Sequence, residues 1–186
     1  VMVSAAAAGS ATRKAIVDAG RGLFGERGYS AVTIKDVAAR SGFSPAMVMK
    51  VMGSKAELYS AAAPEAPNLD DSGSGEPVGY QLVRRIVTRR DQGEAEPWAM
   101  VPILIHDAPD PDEAQVTFRD RYVGRISEWI GDTEPGLRRT KLVVCALLGL
   151  GAGVRTLGIL APGEAGSEAL ISEYGALVQG IIDGSV

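Results

Sequence analysis

The sequence has one cysteine, Cys145, and one histidine, His106, among 186 residues. One cysteine excludes an internal disulfide. One histidine excludes a histidine-rich metal site within a single chain. The two stand 39 positions apart, with no Ser-His-Asp arrangement, paired catalytic carboxylates or metal-ligand spacing around them. The expectation is a protein that is not an enzyme and carries no cofactor or metal. Aromatics are scarce at 5%, while Ala, Leu, Val and Gly abound, which suits packed helices better than a β-sandwich. Long apolar runs are also missing. The longest, Leu142 to Val154, has 13 residues and ends at Arg155, short of the ~20 that span a bilayer. The opening VMVSAAAAGS lacks the charged start and apolar core of a secretory leader. These features predict a cytoplasmic protein.

What is present points to two parts. Hydrophobic residues make up 46% of the chain, enough for one sizeable core or two small ones. The net charge of −4 is unevenly spread: residues 1–62 hold 8 Lys/Arg against 4 Asp/Glu, and the remainder holds 11 against 19. A basic head on an acidic body suits a part that faces nucleic acid, carried by a part that does not.

The stretch TIKDVAARSGFSPAMVMKVMGSKAEL, Thr33 to Leu58, carries the strongest local signal. Thr33 can cap a helix start with its side-chain oxygen. Ile34, Val37 and Ala38 follow on one face. Gly42 sits where the chain must reverse and where a positive φ suits glycine. Ser44-Pro45 restarts a helix, with serine as cap and proline in the first turn. Val48 and Met52 return to the core. Gly53 stops this second helix, and Ser54 caps a third with Glu57 three positions on. A small residue, a glycine turn, a capped second helix and an apolar anchor make the helix-turn-helix pattern, whose second helix enters the DNA major groove.

The run from Thr12 to Leu58, with TRKAIVDAGRGLFGERGYSAVTIKDVAARSGFS and GSKAEL as its matching pieces, resembles the N-terminal DNA-binding domain of TetR-family transcriptional regulators. The resemblance implies an all-α protein: an N-terminal three-helix DNA-binding domain and a C-terminal helical domain for ligand binding and dimerisation. It places Thr33, Lys35, Ser44, Pro45, Ala46, Met47, Met49, Lys50 and Lys55 at the DNA, with Val48 and Met52 facing inward. Lys50 suits a guanine edge or a phosphate, and Ala46 and Met47 suit thymine methyls. The chain departs from the family where a tyrosine near position 49, and an aromatic or histidine near 50 and 51, usually bond phosphates. Here stand Met49, Lys50 and Val51. Arg13 and Lys14 are open to two readings, a backbone contact or a solvated pair.

Four segments follow. Residues 1–11 read as a disordered arm, 12–63 as the DNA-binding domain, 64–79 as a flexible linker or lid, and 80–186 as the ligand-binding and dimerisation domain. The linker holds three prolines, three glycines and four acids in sixteen residues, too polar to offset its ordering entropy. Residues 79–90 read as a helix with an apolar face and a basic end, Arg84, Arg85, Arg89 and Arg90, whose cations suit a helix C-terminus and solvent. Residues 94–107 hold Pro102, which kinks a helix. Trp98, Met100, His106, Phe118, Tyr122 and Trp129 are the candidate ligand-lining residues, with plain core packing as the competing role. Residues 137–160 read as a long helix rich in small residues. Its GLGAG only faintly resembles a dinucleotide loop, because Val154 takes the third glycine's place and no βαβ pattern surrounds it. Arg155 interrupts this run and calls for a structural partner or a ligand anion. A last amphipathic helix ends the chain.

The resemblance implies that these last two helices form a four-helix dimer interface, through Leu147, Gly151, Val154, Leu170, Tyr174, Leu177 and Ile181. It further implies a homodimer that binds double-stranded operator DNA, most simply as a repressor released by a small-molecule effector. The alternative is a dimeric small-molecule-binding protein of the same fold with weak or altered DNA binding.

Overall fold

Alanine is the strongest helix former, and the first helix starts on it. In the computed structural model, which describes residues 5–63 and 75–185 with side chains from Gly9, α1 runs Ala5–Ala31. The part of the expected arm from Ala5 to Ala11 is therefore helical, because a run of alanines needs no apolar periodicity to favour a helix. Residues 1–4 of that arm, and 64–74 of the expected linker, lie outside the described residues. A break at Gly28, with φ 76 and ψ 169, interrupts α1 near its end.

Three short helices follow: α2 Ile34–Ser41, α3 Pro45–Met52 and α4 Lys55–Ala62. Each begins on the cap that the sequence predicts. Thr33 accepts from Asp36 N–H, Ser44 from Met47 N–H and Ser54 from Glu57 N–H. Ile16, Leu23, Phe24, Val37, Val48, Met52 and Leu58 share one core with these helices, each buried side chain contributing about 1.5–3 kcal/mol. Met100 and Leu104 complete it. The first of two compact units thus takes in residues 100–114 besides the N-terminal helices, while the second holds 75–99 and 115–185. The sequence alone assigns all residues from 80 onward to the second part.

The second unit contains α5 Val78–Gln92, the first turn of α6 Pro97–His106, and the second half of α7 Pro111–Phe118. A π-helical turn, Arg119–Val123, joins α7 to α8 Gly124–Ile130. α9 spans Arg138–Ala152 and passes into a second π turn, Gly153–Leu157. Gly158 then stops it with φ 67, so the long helix ends at Leu157 rather than Leu160. The stretch Arg138–Leu157 is long and apolar enough, by composition, to cross a membrane, which the interrupted apolar run hides. Val143, Val144, Leu147, Leu150 and Val154 are nonetheless buried in the unit's own core. α10 is Ser167–Asp183.

Glycine sets the closest approach between helices. α10 packs along α5, where a Cβ on Gly79 would lie 2.6 Å from Gln179 N and one on Gly175 2.6 Å from the Tyr80 ring. A Cβ on Gly151 would meet Trp98 Cβ at 2.7 Å and Ala99 N at 3.0 Å. Arg90 is a correction to the solvated basic helix end. It is 3% exposed and donates to Leu160 O, Ala165 O and Ser167 Oγ at 2.9–3.3 Å. Its hydrogen bonds tie the segment after Gly158 to the end of α5.

Candidate nucleic-acid interface

The turn between α2 and α3 fixes one helix face outward. Gly42 adopts φ 76 and ψ 16 and returns its N–H to Ala38 O. Ala38 and Val37 are buried beneath it, and Val48 and Met52 are the buried residues of α3. At 100° per residue the opposite face of α3 carries Ala46, Met47, Met49 and Lys50. All four are exposed, as are Ser44 and Pro45 at the helix start. Met47 and Met49 keep 40% and 41% of their surface, a large apolar area to leave in water next to a lysine.

Several predicted contacts have partners inside the protein. Thr33 Oγ1 donates to Asp36 Oδ2 at 2.6 Å and accepts from Asp36 N–H, while Thr33 N–H donates to the same carboxylate. The Thr33 hydroxyl and N–H hold the Asp36 carboxyl below its ordinary range. The Lys55 ammonium lies 4.2 Å from the centroid of the Tyr29 ring, and that ring stacks edge-on against Tyr59. Arg13 donates to Val51 O at 3.3 Å and bonds Met52 Sδ, tying α1 to the C-terminus of α3. Lys14 pairs with Asp18 at 2.6 Å. Arg13 thus has an internal partner, while Lys14, 77% exposed in its pair with Asp18, fits the reading of a solvated pair. Lys35 and Lys50 are exposed and have no partner among the described residues. Ser44 accepts through its oxygen at the cap, which leaves its hydroxyl hydrogen available.

In the second unit three of the predicted ligand-lining side chains meet. The Trp98 ring lies edge-on to Tyr122 at 5.4 Å, and Tyr122 stacks on Phe118 at 4.7 Å. Trp129 is apart from them, half-buried near Arg125. Met100 packs in the core of the first unit, where Gly25 leaves room for it, and His106 is exposed. The sequence missed Glu96, whose side chain is fully buried beside this cluster's Trp98. Glu96 Oε1 accepts from Trp98 N–H at 3.1 Å and lies 3.6 Å from Arg89 Nη1, while Oε2 has no hydrogen-bond partner. Burial pushes this carboxyl above its ordinary range, against opposing pulls from Trp98 N–H, Arg89 and Arg155. Arg155 is exposed and acts on Glu96 as the smallest of these pulls, without an ion pair between them.

The predicted dimer residues divide by exposure. Leu147, Gly151, Val154 and Leu170 are buried within the protomer, and Gly151 receives Trp98 and Ala99 of the same chain. Tyr174 and Ile181 are half-buried, and Tyr174 Oη donates to Ala146 O at 3.0 Å. Leu177 is 46% exposed, as is 41% of Leu142 on α9.

The sequence matches two family models. Residues 16–62 match the bacterial regulatory proteins of the tetR family, and residues 76–182 match the tetracyclin repressor-like C-terminal domain. No curated protein matches. Among solved structures, NalD of Pseudomonas aeruginosa, the secondary repressor of the MexAB-OprM multidrug efflux pump, superposes with a TM-score of 0.56. It is 17% identical, over 89% of this chain and 96% of that one. A TetR-like transcriptional regulator from Rhodococcus sp. RHA1 gives 0.55 at 17% identity, over 94% of each chain. These likenesses show the same fold, and the family models cover both the helix-turn-helix head and the helical remainder. The chain belongs to the TetR family and is a DNA-binding transcriptional regulator.

Proposed function

We propose that this regulator is a cytoplasmic repressor that holds operator DNA as a homodimer and is released by a small-molecule effector. The observation that carries the DNA part is the outward face of α3, presented on a capped helix-turn-helix with Lys50 at its centre and Lys35 exposed on α2, neither paired among the described residues. Ala46, Met47, Met49 and Lys50 meet base edges. Ser44, Lys35 and the first turn of α3, where Pro45 removes no needed N–H, meet phosphates. Thr33 supports this surface as a cap, and Lys55 lends it charge from its seat on Tyr29. Two copies place their α3 helices roughly 34–36 Å apart, one DNA turn. Occupying the operator is enough to repress.

The DNA-binding domain is assigned to residues 12–63 and the effector and dimerisation domain to residues 80–186. In the second domain the bonds Tyr174–Ala146 and Arg139–Ile182 set α9 and α10 antiparallel, which brings Leu142 level with Leu177. That exposed strip, with Ile181, is the face offered to a second copy. Leu147, Gly151, Val154 and Leu170 support it from beneath. Trp98, Phe118 and Tyr122 are the best placed of the predicted residues to meet an apolar or aromatic effector. An effector releases the operator by preferring the state that does not bind it.

A second reading keeps the dimer and the effector but makes DNA binding weak. It is favoured by Thr33 and Lys55 having internal partners. Selection of duplexes from a random-sequence pool separates the two. Enrichment of a two-fold symmetric sequence supports the operator-binding dimer, and no enrichment after repeated rounds supports the weak binder.

A further inference from the structure

We infer that the operator half-site is read through thymine 5-methyl groups, with Ala46, Met47 and Met49 as the specificity-determining residues. The inference rests on α3 being the DNA-reading helix. The exposed groups on its reading face decide what it can read. They are a methyl, two thioethers and one ammonium. From Pro45 to Met52 there is no Arg, Asn, Gln, Asp or Glu. The bidentate pairings of arginine with guanine and of asparagine or glutamine with adenine are therefore closed to this helix. No carboxylate or amide oxygen is present on its side chains to accept from the amino groups of adenine or cytosine. Lys50 supplies the one strong donor, for a guanine edge or a phosphate.

The major groove offers one apolar feature, the thymine methyl. Met47 and Met49 leave about 40% of their surfaces in water, a part that no described residue covers. Burying them against methyl groups removes apolar surface from water on both sides, and two flexible thioethers adapt to the spacing of neighbouring thymines. Lys50 on the same face and the exposed Lys35 of α2, neither paired among the described residues, favour a polyanion over an apolar protein partner.

The test takes the duplex that the wild-type protein selects from a random pool and replaces half-site thymines with uracil, which removes the methyl and leaves every base-pairing atom. Fluorescence anisotropy then compares the two duplexes. Each contacted methyl is expected to strengthen binding about fourfold, and two about fifteenfold, with no change in the salt dependence set by phosphates. Met47→Ala and Met49→Ala should bring the thymine-to-uracil ratio toward one, and both side chains are exposed enough to leave the fold intact. Equal affinity for the thymine and uracil duplexes, with steep salt dependence retained, would overturn the thymine reading and leave α3 as the DNA-binding helix. Absence of salt-dependent binding to any duplex would overturn both.

Discussion

One methyl group added at Gly79 should destabilise the second unit, and the same addition at Gly124 should not. A Cβ on Gly79 would stand 2.6 Å from Gln179 N and 2.9 Å from Gln179 Cα. Those are backbone atoms inside α10 and have no rotamer with which to escape. The Gly79 N–H also donates to Gln179 Oε1 at 2.9 Å, so any parting of α5 and α10 stretches that bond too. Overpacking of this kind costs roughly 1–3 kcal/mol, about 2–12 °C in Tm for a chain of this size. Gly175 faces the other side of the same crossing, but what a Cβ there would meet is the half-buried Tyr80 ring, which can swing. Gly175→Ala should therefore cost less than Gly79→Ala, the more so because alanine gains up to ~1 kcal/mol over glycine in a helix interior. Gly124 has helical φ −56 and nothing within 4 Å of a Cβ, so Gly124→Ala should raise stability by up to ~1 kcal/mol. Urea denaturation followed by tryptophan fluorescence suits the comparison, because Trp98 and Trp129 both lie in this unit. A Gly79→Ala variant as stable as wild type would refute the claim that glycine sets this helix spacing.

Three more outcomes follow from the same structure. Glu96 carries a carboxyl that burial pushes up. A group of that kind favours the folded state while protonated and loses the advantage as pH rises through its folded pKa. Glu96→Gln should therefore gain more Tm over wild type at pH 8 than at pH 5, and a larger gain at pH 5 would contradict this. Arg90→Ala leaves two carbonyls and Ser167 without their donor and should cost at least about 2 kcal/mol, measured by the urea midpoint. Leu142→Glu with Leu177→Glu puts like charges on the proposed dimer face. Analytical ultracentrifugation should then show a monomer whose far-ultraviolet circular dichroism is unchanged.

The legible parts of this protein are those whose cause is local. Thr33, Ser44 and Ser54 cap helices within three residues of themselves, and Gly42 turns the chain with its own φ. The stripe Ile16, Ala19, Leu23 and Phe24 is buried as its spacing predicts. The reach of α1 back to Ala5 is hidden in the sequence because alanine favours a helix without marking a face. The π turns at Arg119–Val123 and Gly153–Leu157 break the 3.6-residue period on which such a reading depends. Arg90 and Glu96 are hidden for a different reason. Apart from Asp91 beside it, Arg90's partners stand 70 or more positions away, and a lone acid before a proline gives no sign of burial. Gly151 shows the limit most plainly. Its lack of a side chain announces a close neighbour, but only the fold reveals that the neighbour is Trp98 of the same chain. At the reading surface, exposure is legible and partnership is not, as Lys55 on Tyr29 shows.

The central claim is that the outward face of α3, with Lys50 on it and Lys35 exposed on α2, holds DNA. Its most direct test is the salt dependence of binding to the selected duplex, for wild type and for Lys35→Ala and Lys50→Ala. The account predicts a linear fall of log affinity with log salt. Each lysine that neutralises a phosphate should make the slope shallower by about 0.9 when it is replaced. A slope unchanged in both variants, or no salt-dependent binding by the wild type, would contradict it.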